Sequence, residues 1–198
     1  IDTPEKAFLL GFIMADGSIR RDSYQLTISQ KESESWWLLN MIREFIQPDA
    51  KSLTVSDFQI STDLRSKGII PNKTYESTSE TVDLLWNSVP AEYKPDFLRG
   101  LLDGDGSIRW FYQKPTSKTQ SCHIQFTGNR YLMEKIRDFL SAELGYTTTI
   151  KTDYYSGVLR RVVITDSGKG KQLCDMMYRN FKFPYGHSKT ARYYEAFD

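Results

Sequence analysis

Apolar residues crowd into two stretches, LLGFIMADG at 9–17 and LRGLLDGDG at 98–106, and each run stops at an aspartate followed by a glycine. Each reads as a helix ending in the acidic string. Thr3 caps the first, with Pro4 at its opening position, and Pro90 or Pro95 marks entry to the second. After each helix the pattern changes to alternation: SIRRDSYQLTIS in one place, SIRWFYQ and SCHIQFT in the other. Alternation predicts strands with one buried face. Amphipathic helices follow at 35–46 and 130–144. Two further strands are expected after each, SLTVS with FQIST and TTTIKT with RRVVIT. Helical stretches close each half, 63–67 continuing into 81–86, and 169–180, with a last helix in HSKTARYYEAF.

The chain is thus written twice. Gly11, Asp16, Gly17, Ser18 and Ile19 align with Gly100, Asp105, Gly106, Ser107 and Ile108. Further on NMIREFI aligns with EKIRDFL, and NKT at 72–74 with SKT at 188–190. The spacing between partners grows along the chain, as insertions in the second copy would produce; 113–121 and 153–160 are the candidates. The order is α-β-β-α-β-β-α in each of two halves, 1–89 and 90–198. Strand runs broken by helices predict an α+β fold, with antiparallel sheets covered by helices on one face.

Gly11 with Ala15, and Gly100 with Gly104, are four residues apart and share a helix face. Glycine inside a helix costs roughly 0.5–1 kcal/mol against alanine, so it needs a reason. Close packing of the two motif helices against each other supplies one. Asp16 and Asp105 then come together where the helices end, each before a glycine expected to turn in the left-handed conformation. Acids at helix C-termini, close to one another, are costly alone. A cation between them reverses the sign. Hard oxygen ligands and an incomplete shell suit Mg²⁺ with waters and phosphate oxygens, the ligand set of metal-assisted phosphodiester cleavage. An EF-hand loop also contains D-x-D, but Ile108 stands where that loop needs glycine.

The two strings resemble the paired signature motifs of the LAGLIDADG homing endonucleases, in the single-chain form with two motifs, and the resemblance extends over almost the whole chain. It implies a pseudo-twofold protein whose two sheets form a DNA-binding saddle. It also implies that Asp16 and Asp105 bind the catalytic metal, assisted by backbone carbonyls at Ala15 and Gly104. Mg²⁺ is expected, with Mn²⁺ an alternative and Ca²⁺ binding without supporting cleavage. Lys73 and Lys189, at the matched NKT and SKT positions, would stabilise charge or position the attacking water. Gln30 resembles a solvent-orienting residue whose counterpart in the second half is Gly128 or Asn129. Met14 departs from the motif, since many members carry an acid there, as Asp103 does in the second copy. His123 and His187 read as structural or surface groups.

Strand parity places a polar set away from the core: Ser18, Arg20, Gln25, Thr27, Ser52, Thr54, Gln59 and Ser61 in the first half. In the second half it places Ser107, Arg109, Gln125, Thr149, Lys151 and Arg161 there, with Gln113 extending the first hairpin beside Lys114 and Lys118. Any half-exposed sheet is polar outside. Together with the paired motif, this set of Gln, Thr, Ser and Arg fits a β-ribbon in the DNA major groove.

Composition adds little to this picture, and charge adds asymmetry. Of the 198 residues, 39% are hydrophobic and 26% charged, ordinary for a globular protein. Residues 1–89 hold 9 basic and 13 acidic side chains, and residues 90–198 hold 17 and 12, so the second half faces a polyanion more readily. IDTPEKAFLL does not read as a signal peptide, and there is no long apolar run. Cys122 and Cys174 form no metal motif and read as reduced, partly buried thiols of an intracellular protein, in cytoplasm, nucleoid or organelle. The expected function is site-specific cleavage of double-stranded DNA by a monomer without an obligate protein partner or membrane. By resemblance it hydrolyses one phosphodiester per strand of a long asymmetric target, leaving short 3′ overhangs. The alternative is an RNA-splicing maturase or a non-cutting DNA-binding protein of the same family. An intein origin is also open, although no self-splicing ends are present.

Overall fold

The computed structural model describes residues 1–114, 116, 120–152 and 157–178, with only the backbone of 32–34. The chain divides into two compact units, Ile1–Gly100 and Leu101–Asp198.

In the first unit, helix α1 (Pro4–Asp16) starts where the sequence says, with the Thr3 hydroxyl accepting the Lys6 N–H at 3.3 Å. Every residue from Ala7 to Met14 is buried. Strands β1 (Gly17–Ile19), β2 (Gln25–Ile28) and β3 (Thr54–Ser56) form an antiparallel sheet in that order. Helix α2 (Glu32–Phe45) lies between β2 and β3 in the chain. Its Trp37 ring meets Phe12 of α1 edge-on at 5.6 Å. Ile19, Leu26, Ile28 and Val55 face the core with Leu38, Met41 and Ile42 of α2.

The sequence reading fails at FQIST. This segment is not a strand but helix α3 (Phe58–Ser66). Asp57 decides the matter, because its carboxylate accepts the Ile60 N–H at 2.8 Å and starts a helix at the point where alternation suggested a strand. Gln59 and Ser61 therefore leave the expected strand face. Gln59 is exposed on the helix, and Ser61 is only 1% exposed, near the Arg65 guanidinium. The first half runs on through α4 (Lys73–Glu76), α5 (Ser79–Asn87) and a 3₁₀ turn at Ala91–Tyr93 into α6 (Lys94–Asp105).

The opening residues of α6 complete the first unit. Phe97 packs edge-on against Trp86 of α5 at 6.2 Å, and the Lys94 ammonium lies over the Trp86 ring and donates to the Trp86 carbonyl. Gly100 lies against α1: a Cβ there would fall 2.7 Å from the Phe12 nitrogen and closer still to the Phe8 carbonyl oxygen. The small residue expected from the sequence is required by this approach of two backbones.

The second unit follows the expected order. After α6 come β4 (Ser107–Phe111), β5 (Ser121–Gly128), α7 (Arg130–Leu144), β6 (Lys151–Thr152), β7 (Arg160–Ile164) and α8 (Ser167–Tyr178). The strands form one antiparallel sheet ordered β4-β5-β7-β6. Asn129 caps α7 by accepting the Leu132 N–H at 2.9 Å, and Gly145 ends it in the left-handed region at φ 59°. Ile108, Cys122, Ile124, Phe126, Val162 and Ile164 are buried on one face of the sheet. Leu132, Met133, Ile136 and Leu140 of α7, with Leu173, Cys174 and Met177 of α8, complete that core. Both cysteines are free and buried, and burial pushes the Cys122 thiol up to about 11 and the Cys174 thiol up as well. Among the described residues, no helix is long and apolar enough to cross a membrane.

Candidate active site

Each motif helix runs directly into a strand, and this fixes where its aspartate stands. The sequence suggested a left-handed glycine at the junction. Instead Gly17 is extended, with φ −81° and ψ 151°, and Gly106 is not among the glycines of positive φ. The glycines serve close approach. A Cβ on Gly17 would sit 2.8 Å from Ile13 Cγ2, and one on Gly106 would sit 2.8 Å from the Gln125 carbonyl oxygen. With no side chain in the way, the chain leaves the helix and joins the ladder in one residue.

The ladder then sets the neighbours of the aspartates. Gly17 pairs with Ile28, and the Asp16 carbonyl accepts the Ser29 N–H at 3.1 Å. Gln30 follows directly, partly exposed, its side-chain oxygen accepting the Lys31 N–H at 2.9 Å. In the second unit Ser107 pairs with Gln125, so the same count puts Thr127 level with Asp105 and Gly128 in the place of Gln30. Register thus decides between the two counterparts the sequence left open. The two halves are not chemically equal.

Lys73 also comes to the motif end. Asn72 adopts the left-handed conformation (φ 53°), α4 starts on the next residue, and the Lys73 ammonium donates to the Gly17 carbonyl. Glu76 of the same short helix pairs with Arg21 at 2.5 Å and holds α4 to the β1–β2 loop. Lys189, with Lys118 and the expected last helix, lies outside the described residues.

Asp16 is partly exposed and Asp105 exposed. In each unit the donors are of the kind a hard divalent cation takes: Asp16 with the Ala15 carbonyl, and Asp105 with the Gly104 carbonyl, Ala15 and Gly104 both partly exposed. Among the described residues no group of three or more His, Cys, Asp or Glu exists, so waters and substrate oxygens would have to complete any shell. That is the open coordination Mg²⁺ prefers.

The other motif acid has a different task. Asp103 is 2% exposed, and the Tyr178 hydroxyl of α8 donates to it at 2.7 Å. It is a packing acid that ties the motif helix to α8. Met14, its counterpart, is buried in α1. Replacing Tyr178 with Phe is expected to lower stability by about 1–3 kcal/mol, because a buried carboxylate loses a donor. Denaturant unfolding measures this, and wild-type stability in that variant would contradict the role.

The outer sheet faces hold most of the expected polar set. In the first sheet Ser18 pairs with Thr27 and Thr27 with Thr54, while Gln25 pairs with Ser56. The Thr27 and Thr54 hydroxyls are 3.3 Å apart. These three strands contain no charged residue. Arg20 and Ser52 are exposed just beyond the strands. In the second sheet Arg109 stands opposite His123, Ser107 and Val163 flank Gln125, and Arg161 lies between Thr127 and Lys151. These four strands contain no Asp or Glu. Gln113 is exposed in the loop after β4. Thr149 is exposed in coil before the two-residue β6, so the strand expected from TTTIKT is mostly absent.

Comparison with known proteins agrees with this architecture. Residues 92–173 match the family model of the LAGLIDADG-like domain. No curated protein matches the chain. Among solved structures, the meganuclease I-SmaMI bound to uncleaveable DNA aligns with TM-score 0.61 at 16% identity, covering 98% of this chain and 90% of that one. The LAGLIDADG homing endonuclease I-GzeII in complex with its DNA target aligns with TM-score 0.60 at 13% identity, covering 98% and 88%. The N-terminal LAGLIDADG domain of DUF199/WhiA aligns with TM-score 0.51 at 16% identity, covering 88% and 82%. The chain is therefore an α+β protein of two units, each with an antiparallel sheet that follows a motif helix. It has the LAGLIDADG fold along its length, with a LAGLIDADG-like domain in its second half.

Proposed function

We propose that this protein is a homing-type endonuclease that cuts double-stranded DNA at a specific site, with 1–89 and 90–198 as its two LAGLIDADG halves. The observation that carries the reading is a repeated juxtaposition. In both units an aspartate ends a buried helix at the mouth of a sheet whose outer face is mostly polar and whose strands carry no acid, Phe111 and Val163 being the apolar residues of the second. One group handles a phosphodiester and the other reads bases. In I-SmaMI and I-GzeII the same fold is seen with DNA, and I-SmaMI has also been seen on uncleaved target in the presence of calcium ions.

In this reading Asp16 and Asp105, with the Ala15 and Gly104 carbonyls, hold Mg²⁺ or Mn²⁺. A divalent cation so held supplies charge stabilisation and an acidified water. The chain's own groups do the rest. Lys73 places positive charge beside the Gly17 carbonyl, one residue from Asp16. Gln30, level with the end of the motif, orients solvent in the first half, and Gly128 leaves that function out of the second. Lys189 would serve the second half as Lys73 serves the first. Ser18, Gln25, Thr27 and Thr54 with Ser107, Arg109, Gln125, Lys151 and Arg161 face the groove; Arg20, Ser52, Gln113 and Thr149 lie at its margins. The partner is DNA, inside the cell, and the protein works as a monomer.

The test is incubation with a randomised duplex library in Mg²⁺, with Ca²⁺ as control, and sequencing of the ends produced. Discrete ends at one motif on both strands, in Mg²⁺ only, support the nuclease. Bound motif without ends moves the assignment to the maturase or non-cutting reading.

Lys73→Met is expected to slow cleavage about 100-fold while changing DNA affinity little, the pattern for charge stabilisation made in the transition state. Single-turnover rates and binding isotherms separate the two, and unchanged rates would remove Lys73 from the site.

A further inference from the structure

His123 sits mid-strand on β5, partly exposed, on the face that carries Gln125 and Thr127. Arg109 of β4 is directly opposite. Arg161 of β7 and Lys151 of β6 also act on it through their charge. Burial, then Arg109, Arg161 and Lys151, hold the imidazole below its ordinary pKa of 6.5. No carboxylate of these strands offsets the three cations. The free protein thus presents a neutral histidine inside a cationic surface. A polyanion laid on that surface would cancel the cations and reverse the preference.

We propose that His123 is a base-reading residue that donates a hydrogen bond from its imidazolium to a guanine N7 or O6 in the major groove, beside Arg109. This rests on the DNA reading above and assigns a base class within it. Guanine offers two acceptors on its groove edge, and both imidazolium nitrogens donate. Proton uptake follows. DNA-bound His123 titrates at higher pH than free His123, so between the two values the complex holds more protons than its parts. Affinity is then highest at the acid end, falls as pH rises through that window, and levels off above it.

The probe is the duplex enriched by the wild-type protein from a randomised library, with affinity read by fluorescence anisotropy at fixed salt between about pH 5.5 and pH 8. The wild type is expected to lose affinity about threefold to tenfold across the range. His123→Asn keeps a donor but cannot titrate, so its profile is expected to be flatter than wild type by that factor. In a repeat selection it is expected to relax the preference for guanine at one position only. A thermal midpoint equal to wild type shows that the variant is folded. Superimposable pH profiles, or an unchanged selected motif, overturn the assignment of His123 and leave the DNA reading standing. Failure of the wild type to bind any duplex overturns both.

Discussion

Asparagine in place of either Asp16 or Asp105 abolishes double-strand cleavage and leaves DNA binding within a few-fold of wild type. This is the largest functional effect expected. Each carboxylate ends its own motif helix, and among the described residues no group of three or more His, Cys, Asp or Glu could hold the cation in its place. Asparagine keeps the shape and one oxygen but loses the charge that holds a hard cation. Losing metal-dependent charge stabilisation costs several kcal/mol in the transition state, and about 1.4 kcal/mol is a factor of ten in rate. In the proposed reading, binding rests on the sheet faces and is expected to be spared. Plasmid or oligonucleotide cleavage in Mg²⁺, with anisotropy on the same duplex, reads both quantities. The halves are unequal, so nicking of one strand by a single variant is compatible with the assignment. Full double-strand cleavage by both single variants is not.

The largest effect on stability is expected from Gly100→Val. Two contributions compete. Leaving glycine inside a helix gains up to about 1 kcal/mol. Against this, a Cβ would reach 2.7 Å from the Phe12 nitrogen and closer to the Phe8 oxygen, backbone atoms in a helix whose residues from Ala7 to Met14 are all buried. Neither helix can yield without moving a close-packed core, and overpacking of this kind costs about 3 kcal/mol or more. The packing cost wins. Urea unfolding should show either a large drop in midpoint or no folded protein, and a variant as stable as wild type would mean that the helices are not held at this distance.

The motif helices, their start at Thr3, helix α7 and the antiparallel pairing of the second unit were all legible, because each follows from a local signal: a cap, a period, a proline. The position of Asp16 and Asp105 at the ends of their helices was legible because the chain repeats the string. Three things were not. The helix at Phe58–Ser66 hid behind a short alternation, and only the Asp57 cap, read against the period, would have revealed it. The extended glycines at the helix ends could not be separated from left-handed ones, since both conformations select glycine for different reasons. The buried Asp103–Tyr178 contact spans 75 residues and left no local trace at all.

The first folded unit ends at Gly100, whereas the sequence repeat begins again at residue 90. The repeat read from the sequence and the folded units therefore divide the chain differently. The intervening segment falls by the expected repeat to the second copy and by packing to the first: Phe97 and Lys94 on Trp86, the Tyr93 hydroxyl on the Asp2 carbonyl, Gly100 on α1. A hybrid joined at the repeat boundary would bring a foreign segment into the first core, and a hybrid joined after Gly100 would not. A hybrid that keeps the first core intact is therefore expected to be joined at that second junction, within the motif helix itself.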